Sequence, residues 1–110
     1  MDDRAKGYAR AKEDRVNPPD LHIMIQKARG QGWGDDYARG LADYVCDTFP
    51  GDWRGPTFRA LVAFNRQGYA DARSDLETAL ALNKDAEFAV LAYGSCLRRM
   101  GAAREAGFTV

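Results

Sequence analysis

The chain has 110 residues, 45% of them hydrophobic and 29% charged, and its sixteen Lys and Arg are matched by sixteen Asp and Glu for a formal net charge of +0. This length suits a single domain with a modest core. It contains no apolar run of about twenty residues, which excludes a membrane-spanning helix, and its charge balance argues against a nucleic-acid binder, which ordinarily carries a basic excess.

The first stretch, residues 2–15, is charged and alanine-containing, with Asp2 and Asp3 placed as helix caps and only Tyr8 and Val16 as larger apolar residues. That composition fits a solvated helix or a flexible arm. It lacks the apolar core of a signal peptide, and its acids fit poorly with a transit peptide. Asn17-Pro18-Pro19 breaks any helix, because proline lacks the backbone donor and restricts its predecessor. Residues 1–19 are therefore set apart as a charged arm or helix, and 20–110 as a helical domain.

Asp20 is placed to cap a segment in which Leu21, Ile23, Met24 and Ile25 run toward Ala28. The β-branched residues leave helix and strand open, and the position before a turn and a clear helix favours helix. Gly30-Gln31-Gly32-Trp33-Gly34 is the turn. A glycine-rich turn cradles phosphate when a strand precedes it and a helix follows. Only the helix is clear here, so the turn reads as a connector.

Asp35 or Asp36 caps the next helix, where Tyr37, Leu41, Tyr44, Val45 and Thr48 recur at three and four residues. Ala38 and Ala42 lie beside that face and admit a neighbouring backbone. Pro50-Gly51 stops the helix, and a loop with Trp53 and Arg54 leads to Pro56, which suits a first helical turn. The spacing predicts a helix from Thr57 to Gln67 with Phe58, Leu61, Val62 and Asn65 on one face, Phe64 extending it, and Gly68 as its C-terminal cap. Asp71 caps the following helix, which carries Ala72, Leu76, Ala79 and Leu80, with Leu82 beyond. Asn83-Lys84 is a turn. Asp85 then caps a long helix to about Met100, with Phe88, Leu91, Ala92, Ser95 and Met100 on one face, Leu97 broadening it and Gly101 closing it. Ala102 to Ala106 begins a further helix that Gly107 cuts short. No segment alternates over strand length between hairpin signals, so the fold class is all-α, in antiparallel pairs joined by short turns.

Ala38, Ala72 and Ala106 are 34 residues apart in each step, and Gly34 and Gly68 keep the same interval. A fixed period of this length marks stacked helix-turn-helix units. The stretch from Gly68 to Glu87 resembles the second helix of a tetratricopeptide repeat and the turn after it, with Ala72, Leu76 and Ala79 as the small-large-small set. The stretch from Val90 to Gly101 resembles the first helix of the next repeat, through Tyr93-Gly94, Leu97 and Gly101. A weaker match over 20–50 rests on Ala38, Ala42, Val45 and Pro50. The pattern departs at Lys84, where the family usually has proline, at Gln26 and Ala60, which stand where Gly94 does, and at the Gly68–Ala72 spacing, one residue short. More narrowly, the runs Phe64 to Ala72 and Leu91 to Gly101 resemble the small needle-subunit chaperones of bacterial type III secretion.

The resemblance implies a short solenoid of about two and a half repeats whose first helices line a concave face. Lys27, Leu61, Phe64, Asn65, Ser95, Arg98 and Arg99 are then the groove residues. An apolar centre with cationic edges would suit a peptide or amphipathic helix of a partner protein carrying acids.

Catalytic chemistry finds little support. His22 has no Glu-x-x-His or Cys partner nearby and reads as a structural or surface residue. The pairs Asp2-Asp3 and Asp35-Asp36 precede helices and read as caps rather than metal ligands. Cys46 and Cys96 match no metal spacing and read as buried free thiols of the cytoplasm or another reducing compartment. Ser74 and Ser95 lack a Gly-x-Ser-x-Gly context. No catalytic, cofactor or metal residue is assigned. The expected function is a non-enzymatic protein-binding module, that is, an adaptor, chaperone or assembly factor. The alternative is a structural subunit built permanently into a larger complex. The final hairpin stops at Phe108-Thr109-Val110, an open apolar end that suggests a partner, a second copy or a longer chain.

Overall fold

In the computed structural model, which describes residues 2–105 and 107, six helices follow in order: α1 (Asp3–Asp14), α2 (Pro18–Gly30), α3 (Asp35–Thr48), α4 (Arg54–Asn65), α5 (Tyr69–Leu82) and α6 (Glu87–Glu105). No strand forms among the described residues, and none of these helices is long and apolar enough to cross a membrane.

The helix ends show which local signals act. Asp2 caps α1 by accepting from the Ala5 backbone N–H, and Arg15 closes it in the left-handed region at φ 53°. α2 begins earlier than expected, inside the proline pair. Asn17 is its cap, its Oδ1 accepting from Asp20 N, and Pro18 and Pro19 fill the first two positions, where a missing N–H costs nothing. Asp35, Asp36 and Asp71 are not caps. They sit in the first turns of α3 and α5, behind Gly34 and Gly68 in the cap positions, where their charge favours the helix dipole. Asp85 does not cap α6 either, since its N–H donates to Asn83 Oδ1 and the helix starts at Glu87.

Two glycines act differently from their sequence reading. α4 ends at Asn65, and the left-handed residue that turns the chain is Gln67 at φ 57°, not Gly68. Gly68 returns its N–H to the Ala63 carbonyl at 2.9 Å and opens α5 by accepting from Ala72 N at 3.0 Å. Gly101 does not close α6. A lone glycine lowers helix propensity without ending the helix, and α6 continues through it to Glu105. Ala102 to Glu105 are thus the last turn of α6 rather than a new helix, and Ala106 and Phe108–Val110 lie outside the described residues.

From α2 onward each helix packs beside the next, whereas α1 packs on α3, and the pairs α3–α4 and α5–α6 run in opposite directions. Asp36, Asp43 and Cys46 of α3 meet Arg66, Arg59 and Gly55 of α4 in the opposite order. Tyr69 and Glu77 of α5 likewise meet Cys96 and Tyr93 of α6. α2 also touches α4, and α4 touches α6, so α2, α4 and α6 share one side of the molecule. Of the two readings of residues 2–15, the helix forms, and it is packed. A Cβ at Gly7 would collide with the Tyr37 carbonyl, and one at Gly40 with the Arg4 carbonyl, so α1 and α3 approach through a reciprocal pair of glycines.

The core is built from small residues. One cluster joins Ala11, Val16, Leu21, Ile25, Ala28, Leu41, Val45 and Val62, and a second joins Ala60, Ala63, Ala72, Leu76, Ala79, Ala89, Cys96 and Met100. The expected faces of α3 and α5 are buried at Leu41, Val45, Ala72, Leu76 and Ala79, although Thr48 and Leu82 are exposed. The face of α6 is displaced from its expected position. Ala89, Ala92, Cys96 and Met100 are buried, while Phe88, Leu91 and Leu97 are 44%, 63% and 41% exposed. The α5 surface offers alanines that accept small partners, so the larger α6 side chains turn outward.

A charged staple that periodicity does not reveal ties four helices. Asp43 of α3 accepts from Arg4 Nη2 of α1 at 2.8 Å and from Arg59 Nη1 of α4 at 3.0 Å. Arg59 also grips Asp75 of α5 with two bonds, Nε to Oδ2 at 3.0 Å and Nη2 to Oδ1 at 2.8 Å. Burial alone would raise the Asp43 carboxyl, but the two guanidinium groups outweigh it and hold it below the usual carboxylate range.

Candidate partner-binding groove

The shared side of α2, α4 and α6 forms an open groove of about 400 Å³. α6 supplies most of the wall. Phe88, Leu91, Ala92, Ser95 and Arg99 recur at three, one, three and four residues and so form a stripe beside the core face. α4 supplies Leu61, Phe64 and Asn65, and α2 supplies Arg29.

The groove has two ends. At the N-terminal ends of its helices the rings of His22, Phe58 and Phe88 form a chain, with centroids 5.0 Å and then 5.8 Å apart. At the C-terminal ends the Arg99 guanidinium lies over the Phe64 ring at 5.5 Å, and Phe64 meets Tyr69 edge-on at 6.1 Å. That cation–π contact holds the Arg99 head at the wall instead of in free solvent. Arg98 donates through Nη2 to Ser95 Oγ at 3.1 Å, and a shallow recess continues from the groove past Ser95, Arg98 and Arg99 to Ala102.

Elsewhere on the molecule Arg4, Arg10, Arg54, Arg59, Arg66 and Arg73 are paired with acids. Arg29, Arg98 and Arg99 form no ion pair among the described residues, so the cationic end presents unneutralised donors beside apolar surface.

The structure brings Leu61, Phe64, Asn65, Ser95 and Arg99 together in this groove, with Arg98 on its rim. Lys27 is exposed and does not line it. Gln26 Nε2 lies 3.2 Å from His22 Nε2, and His22, Gln26 and Arg29 recur at four and three residues along one face of α2. Lys27 is turned about 100° from Gln26 and about 200° from Arg29, because each helical residue advances about 100°. Arg29, Phe88, Leu91 and Ala92 are the groove residues that sequence reasoning does not assign. The spacing of Phe88 and Leu91 with Ser95 is visible in the sequence, but large apolar residues on a helix read first as core.

The remaining candidates have ordinary surroundings. His22 packs against Phe58 and Gln26. Cys46 and Cys96 are free, the first half-buried and the second buried. Burial pushes the Cys46 thiol up to about 11, against a smaller opposing pull from Arg59. Cys96 donates its thiol to the Tyr69 carbonyl at 3.4 Å, and its pKa is raised chiefly by burial. Both thiols are thereby held in the protonated, weakly nucleophilic form.

Comparison of the chain with protein-family models, with curated proteins and with solved structures finds no match in any of the three.

Proposed function

We propose that this chain is a non-enzymatic protein-binding module that holds an amphipathic helix or peptide of a partner protein in the groove of α2, α4 and α6. The observation that carries the reading is the pairing of an apolar wall, Leu61, Phe64, Phe88 and Leu91, with the unpaired arginines Arg29, Arg98 and Arg99 at one end. An apolar stripe desolvates well against the wall, while arginine forks recognise carboxylates through fixed pairs of donors. A partner with apolar residues along one face and acids toward one end satisfies both.

The same reading takes α2 with α3 and α4 with α5 as two units of a tetratricopeptide-like stack, with α6 opening a third. It is supported by the contacts of α2 with α4 and of α4 with α6, and by Ala38 and Ala72, fully buried at the 34-residue interval. Ala106, the third member of that series, lies outside the described residues. An adaptor, chaperone or assembly role fits such a module.

The test is capture of partners from the native source by the tagged chain, identified by mass spectrometry and repeated with Arg29→Ala/Arg99→Ala. The proposal expects one dominant partner whose affinity for the double variant drops by the loss of buried charge contacts, about 2–5 kcal/mol. Equal affinity for both chains would place the binding surface elsewhere.

A further inference from the structure

The groove has a direction as well as a composition. His22 of α2 meets Phe58 of α4, which meets Phe88 of α6, each in the first half of its helix. Arg99 of α6 lies over Phe64 of α4, and Arg29 of α2 lines the same wall, each in the second half. α2, α4 and α6 therefore run the same way. α2 and α4 end beside the arginines, at Gly30 and Asn65, and set the negative poles of their dipoles there.

Side-chain charge is graded in the opposite sense. Lys27, Arg29, Arg98 and Arg99 stand at the arginine end with no ion pair among the described residues, and beyond them Arg104 and Glu105 cancel. At the aromatic end Asp20 and Glu87 occupy the first turns of α2 and α6, and Asp85 precedes α6. All three are exposed without an ion pair among the described residues, and Lys84 offsets one of them. Phe88 and Arg99 lie eleven residues apart on α6, about 17 Å, so the wall between the two ends takes about three turns of helix.

We infer, resting on the groove reading above, that the occupant is an amphipathic helix docked antiparallel to α2, α4 and α6. Acids in its first turn meet Arg29, Arg98 and Arg99, and its basic last turn points toward Asp20, Asp85 and Glu87. Acids in a first turn and bases in a last turn are what a helix's own dipole favours, so the charges the groove selects also stabilise the ligand's helix. This docking sets the ligand's positive pole beside the negative poles of α2 and α4. In the reverse docking the acids needed at the arginines would stand in the ligand's last turn, against its own dipole, and its negative pole would face two others. Apolar residues at i, i+3, i+4 and i+7 fill the stretch between, against Leu61, Phe64, Phe88 and Leu91. An extended peptide has no pole to orient and gains nothing from one direction over the other.

Two synthetic probes, titrated against the full chain by fluorescence anisotropy, test this. Each is an amphipathic peptide of about four turns, with one leucine stripe, blocked ends and a staple on its polar face that keeps it helical. The first carries glutamates in its first turn and lysines in its last; the second exchanges the two sets. The expected result is that the first binds at least about threefold more tightly, the scale of one helix-dipole interaction, and that Arg29→Ala/Arg99→Ala weakens both. A benzophenone in the first turn of the first probe should label Asn65 or Ser95, and one in its last turn Phe58 or Phe88. Leu91→Glu, at a 63% exposed position whose helicity circular dichroism reports, should abolish binding. Equal affinities, or labelling at the opposite ends, with both probes lost in Leu91→Glu, would overturn the inferred direction and leave the groove reading standing. Binding indifferent to Leu91→Glu would overturn both. Failure of both probes to bind would overturn the inference, which specifies the ligand by its chemistry, while capture from the native source still decides the groove reading.

Discussion

At the scale of single residues, the chain separates charges that hold the fold from charges left free. Asp43 is the clearest of the first kind, set between Arg4 and Arg59. Its carboxyl is depressed in the folded chain, so the stability it contributes is present above the ordinary carboxylate range and is lost as pH falls through its lowered folded value. Acid titration of the unfolding midpoint should therefore show a fall below about pH 4, the unperturbed aspartate range. Asp43→Asn should flatten part of that fall while lowering stability at neutral pH, and an unaltered acid profile would remove Asp43 from the account. The cysteines give a second residue-scale prediction. With Cys46 pushed up to about 11 and Cys96 raised by burial, native labelling by a thiol reagent near neutral pH should be slow and should accelerate on unfolding. Rapid labelling of both thiols in the folded chain would contradict it. Neither the staple nor the thiol environment can be read from the chain order, because Arg4, Asp43, Arg59 and Asp75 are brought together by three helix crossings.

At the scale of elements, α3 and α5 are the most legible. Their apolar residues recur at three and four positions and their faces are buried close to where the spacing puts them, at Leu41, Val45, Leu76 and Ala79. α1 is legible only as an alternative, because its packing depends on Gly7 and not on an apolar stripe. α6 is legible as a helix but not in orientation. Apolar residues fall on every side of it, at Phe88, Leu91 and Leu97 as well as at Ala92, Cys96 and Met100, and packing against α4 and α5 decides which side is buried. Small residues at crossings should then be the sensitive positions. Ala72 is fully buried, and Ala72→Leu should overpack the α4–α5–α6 contact by about 1–3 kcal/mol. Gly40→Ala should part α1 from α3, since its Cβ meets the Arg4 carbonyl and the Tyr8 backbone. Thermal unfolding followed by circular dichroism measures both. An unchanged melting temperature for Ala72→Leu would show that the α5 packing is misplaced, and the same result for Gly40→Ala would show that the α1–α3 approach is.

At the scale of the whole molecule, α1 and the Arg4–Asp43–Arg59–Asp75 staple hold one side together while α2, α4 and α6 leave the other side as a groove. Its membership is partly legible in the sequence. Phe64, Asn65, Ser95 and Arg99 follow from assigning α4 and α6 to the same side, whereas Arg29 in place of Lys27 depends on the rotation of α2, which its weak apolar periodicity does not fix. The central claim is that this groove, and not another face, receives a partner. Site-specific photo-crosslinking measures it directly: a photoreactive residue at Leu91, which lines the groove, is compared in the native source with one at Ser74, exposed on α5. The account predicts that Leu91 yields adducts with one protein, through a segment carrying apolar residues on one face and acids near one end, and that Ser74 does not. Adducts with that protein from Ser74 and none from Leu91 would contradict it.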